Sequence, residues 1–358
     1  MRNGVVLGFS LVAGFVCAPI GPIAHAGDLV GPDLTIYQED IEQRHAAVAY
    51  NSNHDEYLVV WENVRLNGVH DIYARRVSGS GSLLSQFAIS GGDGVSRTSP
   101  DVAYDSDEDR YLVVYTRKYS PTDRDIYGRF VPWSGPDAGL TEFAIGLSSL
   151  DEIDPHVAYG LGGTVGRQYL VVWERQDGTP SVMGCLVEGD GTGPGTPWKI
   201  SPAFPSHSPS LAYNLSRNEF LVVWEMNWSM TDLDIAAVIL NAGGSALYGG
   251  WFPVAMTSGD DLNPVAAACP SANQYLVAFE YPGPLDTEVR ARHINGDGSM
   301  PDPIIDLNDT DQDETTPSVS CLNKPGVYLV GWTEIIELEF GLQGVDSCTI
   351  DTDGVVSE

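Results

Sequence analysis

The chain has 358 residues, 43% of them hydrophobic and 19% charged, which is the composition of a folded protein with room for one large β domain or two ordinary ones. Its 49 acidic against 18 basic residues give a formal charge of −31. Such a field repels nucleic-acid phosphates and anionic membranes, and it favours cations, basic proteins or neutral ligands as well as plain solubility.

Met1-Arg2-Asn3 is a short basic start, and an apolar run follows from Val5 to Val16. Ala24-His25-Ala26 supplies the small-x-small pattern of a signal-peptidase site, so residues 1–26 read as a signal peptide cleaved before Gly27. The run is too short to span a bilayer comfortably. Cys17 raises the alternative of a lipid anchor, but Val16 stands where such signals carry a small residue. The expected location is secreted, periplasmic or extracellular, with no membrane span. Four cysteines remain in the mature chain, Cys185, Cys269, Cys321 and Cys348, and an even count in an exported chain permits disulfides. None has a zinc-binding spacing.

One apolar phrase is then written six times. YLVVWE at 57–62 is followed by YLVVYT at 111–116, YLVVWE at 169–174, FLVVWE at 220–225, YLVAFE at 275–280 and YLVGWT at 328–333. The aromatics Trp61, Tyr115, Trp173, Trp224, Phe279 and Trp332 recur at intervals of 54, 58, 51, 55 and 53 residues. A period near fifty without helical segments points to propeller blades.

Each unit opens on a strand near a proline or its equivalent, at residues 46, 100, 155, 209, 264 and 317. A polar turn leads to the LVVW strand, a variable loop to a third strand such as DIYARRV or DIYGRFV, and a Gly-rich turn to a fourth. The LVVW strand is apolar on both faces, as a strand covered by neighbouring sheets on both sides must be. The sixth unit runs out at residues 353–358 before a fourth strand, while DLTIY at 33–37 precedes the first unit and matches the missing piece. The expected fold is therefore all-β: a six-bladed β-propeller of four-stranded antiparallel blades over residues 27–358, closed by an N-terminal strand at 33–37. PDVAYDSDEDRYLVVYT and DIYGRFV resemble the units of exported bacterial β-propeller repeat proteins across 33–356. The WD dipeptide, the kelch di-glycine strand and the sialidase SxDxGxTW box are absent, so the resemblance implies architecture and no catalytic residues.

The loops entering the first strands are rich in acids, and His45, His156 and His207 lie close to first-strand starts. That face is the candidate ligand site. Tyr119, Trp228 and Tyr281 in the loops after the second strands, with Trp133, offer aromatic faces for sugars or protein partners. No cofactor is required by any motif. Calcium is the possible exception, because Asp309, Asp311 and Asp313 place oxygen donors at alternate positions, although the glycine and distal glutamate of a full calcium loop are missing. Asp105, Asp107 and Asp109 repeat the alternation inside a hairpin turn. Glu62, Glu174, Glu225 and Glu280 recur beside the blade aromatic, and Arg75, Arg129 and Arg292 recur on third strands, a repetition that marks structural bonds.

Cys185 and Cys348 hold the same third-strand position in blades three and six, too far apart to bond. Cys269 and Cys321 end the innermost strands of blades five and six, where α-carbons can approach to roughly 4.4–6.8 Å. They lie one position out of register, which sets side chains on opposite faces of their strands and leaves that bridge open. Two functions remain: a monomeric binding or scaffold module for a glycan, cation or protein, or a secreted polysaccharide hydrolase or lyase with acids at the channel mouth. No local catalytic motif is present, which favours the first.

Overall fold

A computed structural model describes residues 34–37, 42–120, 122–135, 141–163, 166–191, 193–228, 232–307, 312–322, 324, 326–337 and 342–357. The signal region with Cys17 lies outside the described residues, as do Asp309 and Asp311. The fold is all-β, with six blades of four antiparallel strands and no helix among the described residues. No helix there is long and apolar enough to cross a membrane.

Two compact units divide the blades, three in Leu34–Ser201 and three in Pro202–Glu358. In the first unit the innermost strands are Gln43–Asn51, Arg97–Asp105 and Asp151–Gly160. In the second they are Ser206–Asn214, Leu262–Cys269 and Asp313–Cys321. The outermost strand of blade one, Leu83–Ser90, has eight residues, but three others have only two each, Trp198–Lys199, Ile305–Asp306 and Val356–Ser357, and short edges blunt sheet-to-sheet aggregation.

The repeated phrase forms the second strand of each blade and is buried along nearly its whole length, as in Glu56–Val64 and Glu219–Met226. Alternation then assigns each residue to one of two seams. Leu58 and Val60 of blade one pack with Tyr111, Val113 and Tyr115 of blade two. Leu112 and Val114 turn the other way, onto Tyr169, Val171 and Trp173 of blade three. The second unit repeats this, with Leu221 and Val223 on Tyr275, Val277 and Phe279, then Leu276 and Ala278 on Tyr328, Val330 and Trp332. The core of each unit is thus a series of seams, and its middle blade fills two of them with the one phrase.

The hairpins joining first and second strands use their own polar side chains. Asn51 Oδ1 accepts the N–H groups of Asn53 and His54 at 3.0 Å each, and Asp105 Oδ1 accepts those of Asp107 at 2.8 Å and Glu108 at 3.1 Å. Asp109 closes its turn at φ 53°, bonded to Tyr104 Oη at 2.7 Å and His54 Nε2 at 2.7 Å. The alternation of Asp105, Asp107 and Asp109 therefore serves the hairpin rather than a converging cation site.

Two expectations are corrected. The sixth sheet has its own fourth strand, since a turn at Gly354 (φ 76°) returns Val356–Ser357 to pair with Ile350 and Thr349. Residues 34–37 belong to no strand, yet Ile36 is only 5% exposed and its carbonyl accepts a bond from Arg75 Nη1.

Cys269 and Cys321 form a disulfide, with α-carbons 5.2 Å apart. Register favours this bridge instead of opposing it. The front face of blade five meets the back face of blade six, so bonding side chains must leave their own strands in opposite directions. Cys185 and Cys348 are buried and outside any disulfide.

Candidate functional site

Every first strand contains a residue at positive φ: His45 (46°), Ser99 (49°), Asp154 (55°), Ser208 (46°), Asn263 (50°) and Thr316 (52°). Each sits in a bulge where the ladder register shifts, and five precede a proline, which has no N–H to give the ladder. This backbone is costly for a side-chain-bearing residue, about 1–3 kcal/mol each. The recurring glutamate offsets part of that cost from the preceding blade. Glu62 Oε2 accepts Ser99 N–H at 3.2 Å, Glu225 Oε1 accepts Asn263 N–H at 2.7 Å, and Glu280 Oε1 accepts Thr316 N–H at 2.6 Å.

In the first unit this scaffold carries a cluster of histidines and carboxylates. Glu62, buried at 1% exposure, holds His45 Nδ1 at 3.1 Å and His70 Nδ1 at 2.6 Å. Burial alone would raise the Glu62 pKa, but the two histidine contacts overcome it and leave the carboxyl below its ordinary value. The contact with Glu62 raises His45, opposed by burial and reinforced by the charges of Glu62 and Asp154.

Two blades meet at Asp101, whose Oδ1 accepts Val102 N–H and whose Oδ2 accepts Val157 N–H, both at 2.8 Å. His156 Nδ1 stands 3.5 Å from the same Oδ2. Burial pulls the His156 pKa down, but the adjoining Asp101 and the charge of Asp154 prevail and push it up to about 9. His156 keeps a third of its side chain exposed and His45 more than half.

Asp154 acts electrostatically on both imidazoles. No hydrogen bond or ion pair to its own carboxylate exists among the described residues, and it is held at φ 55° on a bulge. The rim thus presents two partly exposed imidazoles of raised pKa and a carboxylate whose charge acts on both.

Of the other expected positions, Asp313 Oδ1 accepts Thr287 N–H at 2.9 Å. His207 lies in the second unit, opposite Glu225 in its ladder. Tyr119 is 48% exposed, with its hydroxyl 2.6 Å from that of Tyr127 and Arg117 5.1 Å from its ring centre. Arg290 covers the Tyr281 ring at 3.6 Å, and His54 stacks on Trp133 at 3.7 Å. Trp228, 44% exposed, rests against Phe204 and Trp251 at 5.1 and 5.3 Å. Among the described residues no three His, Cys, Asp or Glu side chains form a ready metal site.

Asp101, His70 and the orienting role of Glu62 escape the sequence reading. A usable signal exists for Asp101, which directly follows the first-strand proline where other blades carry His156, Ser210, Val265 or Ser318.

No family model matches the sequence, and no curated protein does. Solved structures do match. A protein of unknown function from Dyadobacter fermentans aligns with a TM-score of 0.58 at 13% identity, over 88% of this chain and 97% of that one. An α-L-arabinanase from Penicillium chrysogenum, complexed with arabinobiose, aligns with a TM-score of 0.57 at 13% identity, over 90% and 98%. The hemagglutinin-neuraminidase ectodomain of parainfluenza virus 5 follows at 0.52 and 8%, over 90% and 83%. At these identities the likeness is one of fold.

Proposed function

We propose that the chain is an exported carbohydrate-binding propeller, and that Asp154, His45 and His156 are its recognition set. The observation that carries this reading is the uncommitted Asp154 carboxylate whose charge acts on two partly exposed imidazoles of raised pKa. A carboxylate acceptor beside N–H donors matches the paired hydroxyls of a sugar ring, which both give and take hydrogen bonds. Glu62 and Asp101 act behind them as positioning residues, fixing each imidazole through Nδ1. The Cys269–Cys321 disulfide supports an oxidising, exported setting.

A second reading is polysaccharide hydrolysis, favoured by the likeness in fold to the arabinanase that holds arabinobiose. Two-carboxylate hydrolysis needs a carboxylic acid of raised pKa that touches substrate. In the first unit the raised carboxyls are Glu152, up to about 7, and Asp125, and both are buried at 3% and 2% exposure. The rim groups with a raised pKa are the histidines His45 and His156, which fits binding better than that chemistry. A glycan array on the mature protein, run beside a polysaccharide-cleavage screen, separates the two readings. Binding without reducing-end release supports the first, and release abolished by Asp154→Asn supports the second.

A further inference from the structure

The glutamate that ends the repeated phrase does the same job in three blades, and blade two lacks it. Glu62, Glu225 and Glu280 each bring a carboxylate oxygen to the bulge N–H of the following blade, at 3.2, 2.7 and 2.6 Å. In blade two the phrase ends on Thr116. The ladders make the positions equivalent. Thr116 pairs with Ile126 and Thr98, as Glu62 pairs with Ile72 and Arg44, and Glu280 with Val289 and Leu262. The bulge that Thr116 stands below is that of Asp154.

Threonine is too short for that job, because its hydroxyl sits on Cβ while a glutamate oxygen lies beyond Cγ and Cδ. No side chain accepts the Asp154 N–H among the described residues, and the ladder register passes over Asp154 as it does Ser99, Asn263 and Thr316. The Thr116 hydroxyl is orphaned too, fully buried and without a partner. Thr333 supplies a control. It ends the phrase of blade six, and its hydroxyl accepts that of Thr316 at 2.8 Å. The seam between blades two and three therefore carries an N–H and a hydroxyl around the place where other seams carry a carboxylate. That place lies just beneath the rim, since Glu225 and Glu280 are each 6% exposed and Asp154 is partly exposed. Buried donors left in this way are unfavourable until an acceptor reaches them.

We propose that this place receives the acetamido group of an N-acetylated amino sugar, an inference that rests on the carbohydrate reading above and names its sugar class. An acetamido group is planar, like the carboxylate it replaces. Its carbonyl oxygen accepts the Asp154 N–H, and its own N–H donates to the uncommitted Asp154 carboxylate. A sugar hydroxyl puts donor and acceptor on one atom, whereas the N–H and carboxylate of Asp154 are set apart, as the two ends of an amide are. A ligand carboxylate satisfies the N–H alone, and it meets repulsion from Asp154 and from a chain of net charge −31.

A glycan array that pairs each acetamido sugar with its 2-hydroxy counterpart in the same linkage tests this, read with the mature wild type and with Thr116→Glu. Wild type retains the acetamido member of a pair over the hydroxy member by at least about tenfold. Thr116→Glu supplies the missing acceptor from within, melts at or above wild type, and loses that preference. Should that variant not fold, Thr116→Gln brings a neutral acceptor to the same place and reads the same loss. Glycan binding with no preference for the acetamido group overturns the inference and leaves the carbohydrate reading standing. So does a preference that survives in folded Thr116→Glu or Thr116→Gln, or the failure of both variants to fold, which shows the place to be filled. Retention of no glycan by wild type overturns both.

Discussion

Arg75 Nη1 donates a hydrogen bond to the carbonyl oxygen of Ile36, 39 residues earlier in the chain. The same bond runs from Arg129 to Ile89 and, at 2.5 Å, from Arg292 to Val254, where the acceptor belongs to the fourth strand of the preceding blade. Ile36 therefore stands to blade one as Ile89 stands to blade two, although residues 34–37 pair in no ladder. Tyr37 adds a ring contact to Trp61 at 5.3 Å.

Removing residues 27–40 takes away this strap and bares Trp61, and the truncated protein is expected to melt well below the intact mature chain. Arg75→Met keeps the stem and loses the bond, with an expected cost of about 1–3 kcal/mol. Thermal melts check both. A truncation that melts like the intact chain contradicts a structural role for the segment.

The disulfide closes a loop of sequence separation 52 in the second unit. Cys321→Ser is expected to destabilise by about 2–4 kcal/mol. Peptide mapping without reduction, on protein exported into an oxidising compartment, is expected to recover Cys269 and Cys321 in one linked peptide. Recovery of both as thiols contradicts the bridge.

How much of this was legible in the sequence varies with the physics of each part. YLVVWE announces a strand buried on both faces, because no half-exposed strand carries Leu58, Val59 and Val60 in a row. The positive-φ bulge was not legible, since His45, Ser99, Asp154, Ser208, Asn263 and Thr316 vary from blade to blade, and the proline that follows five of them marks a strand start without dictating a positive φ before it. Register misled at Cys269 and Cys321 because strand alternation governs pairs within one sheet, while these face each other across a seam. His45 and His156 were found by their nearness to first-strand starts. Glu62 was set aside as structural because it recurs, and it is both structural toward Ser99 and orienting toward His45 and His70.

Glu152 provides a pH signature. Burial, aided by the charge of Asp125, raises its pKa from the ordinary 4.5 to about 7. A raised carboxyl favours the fold in its protonated form, so its contribution is full below about pH 4.5 and is lost as pH rises through 7. Glu152→Gln is expected to hold that contribution at pH 8, melting a few degrees above wild type there and converging with it near pH 5. Parallel melts with a constant offset across this range contradict the assignment.

Asp154 is the direct test of the proposed function. Once the array has identified a glycan, titration calorimetry compares wild type with Asp154→Asn at pH 7 and follows wild type from pH 7 to 10. The account predicts at least about tenfold weaker binding for Asp154→Asn with an unchanged melting temperature, and wild-type affinity that falls as His156 loses its proton near pH 9. Equal glycan affinity in the two proteins, or an affinity flat from pH 7 to 10, contradicts it.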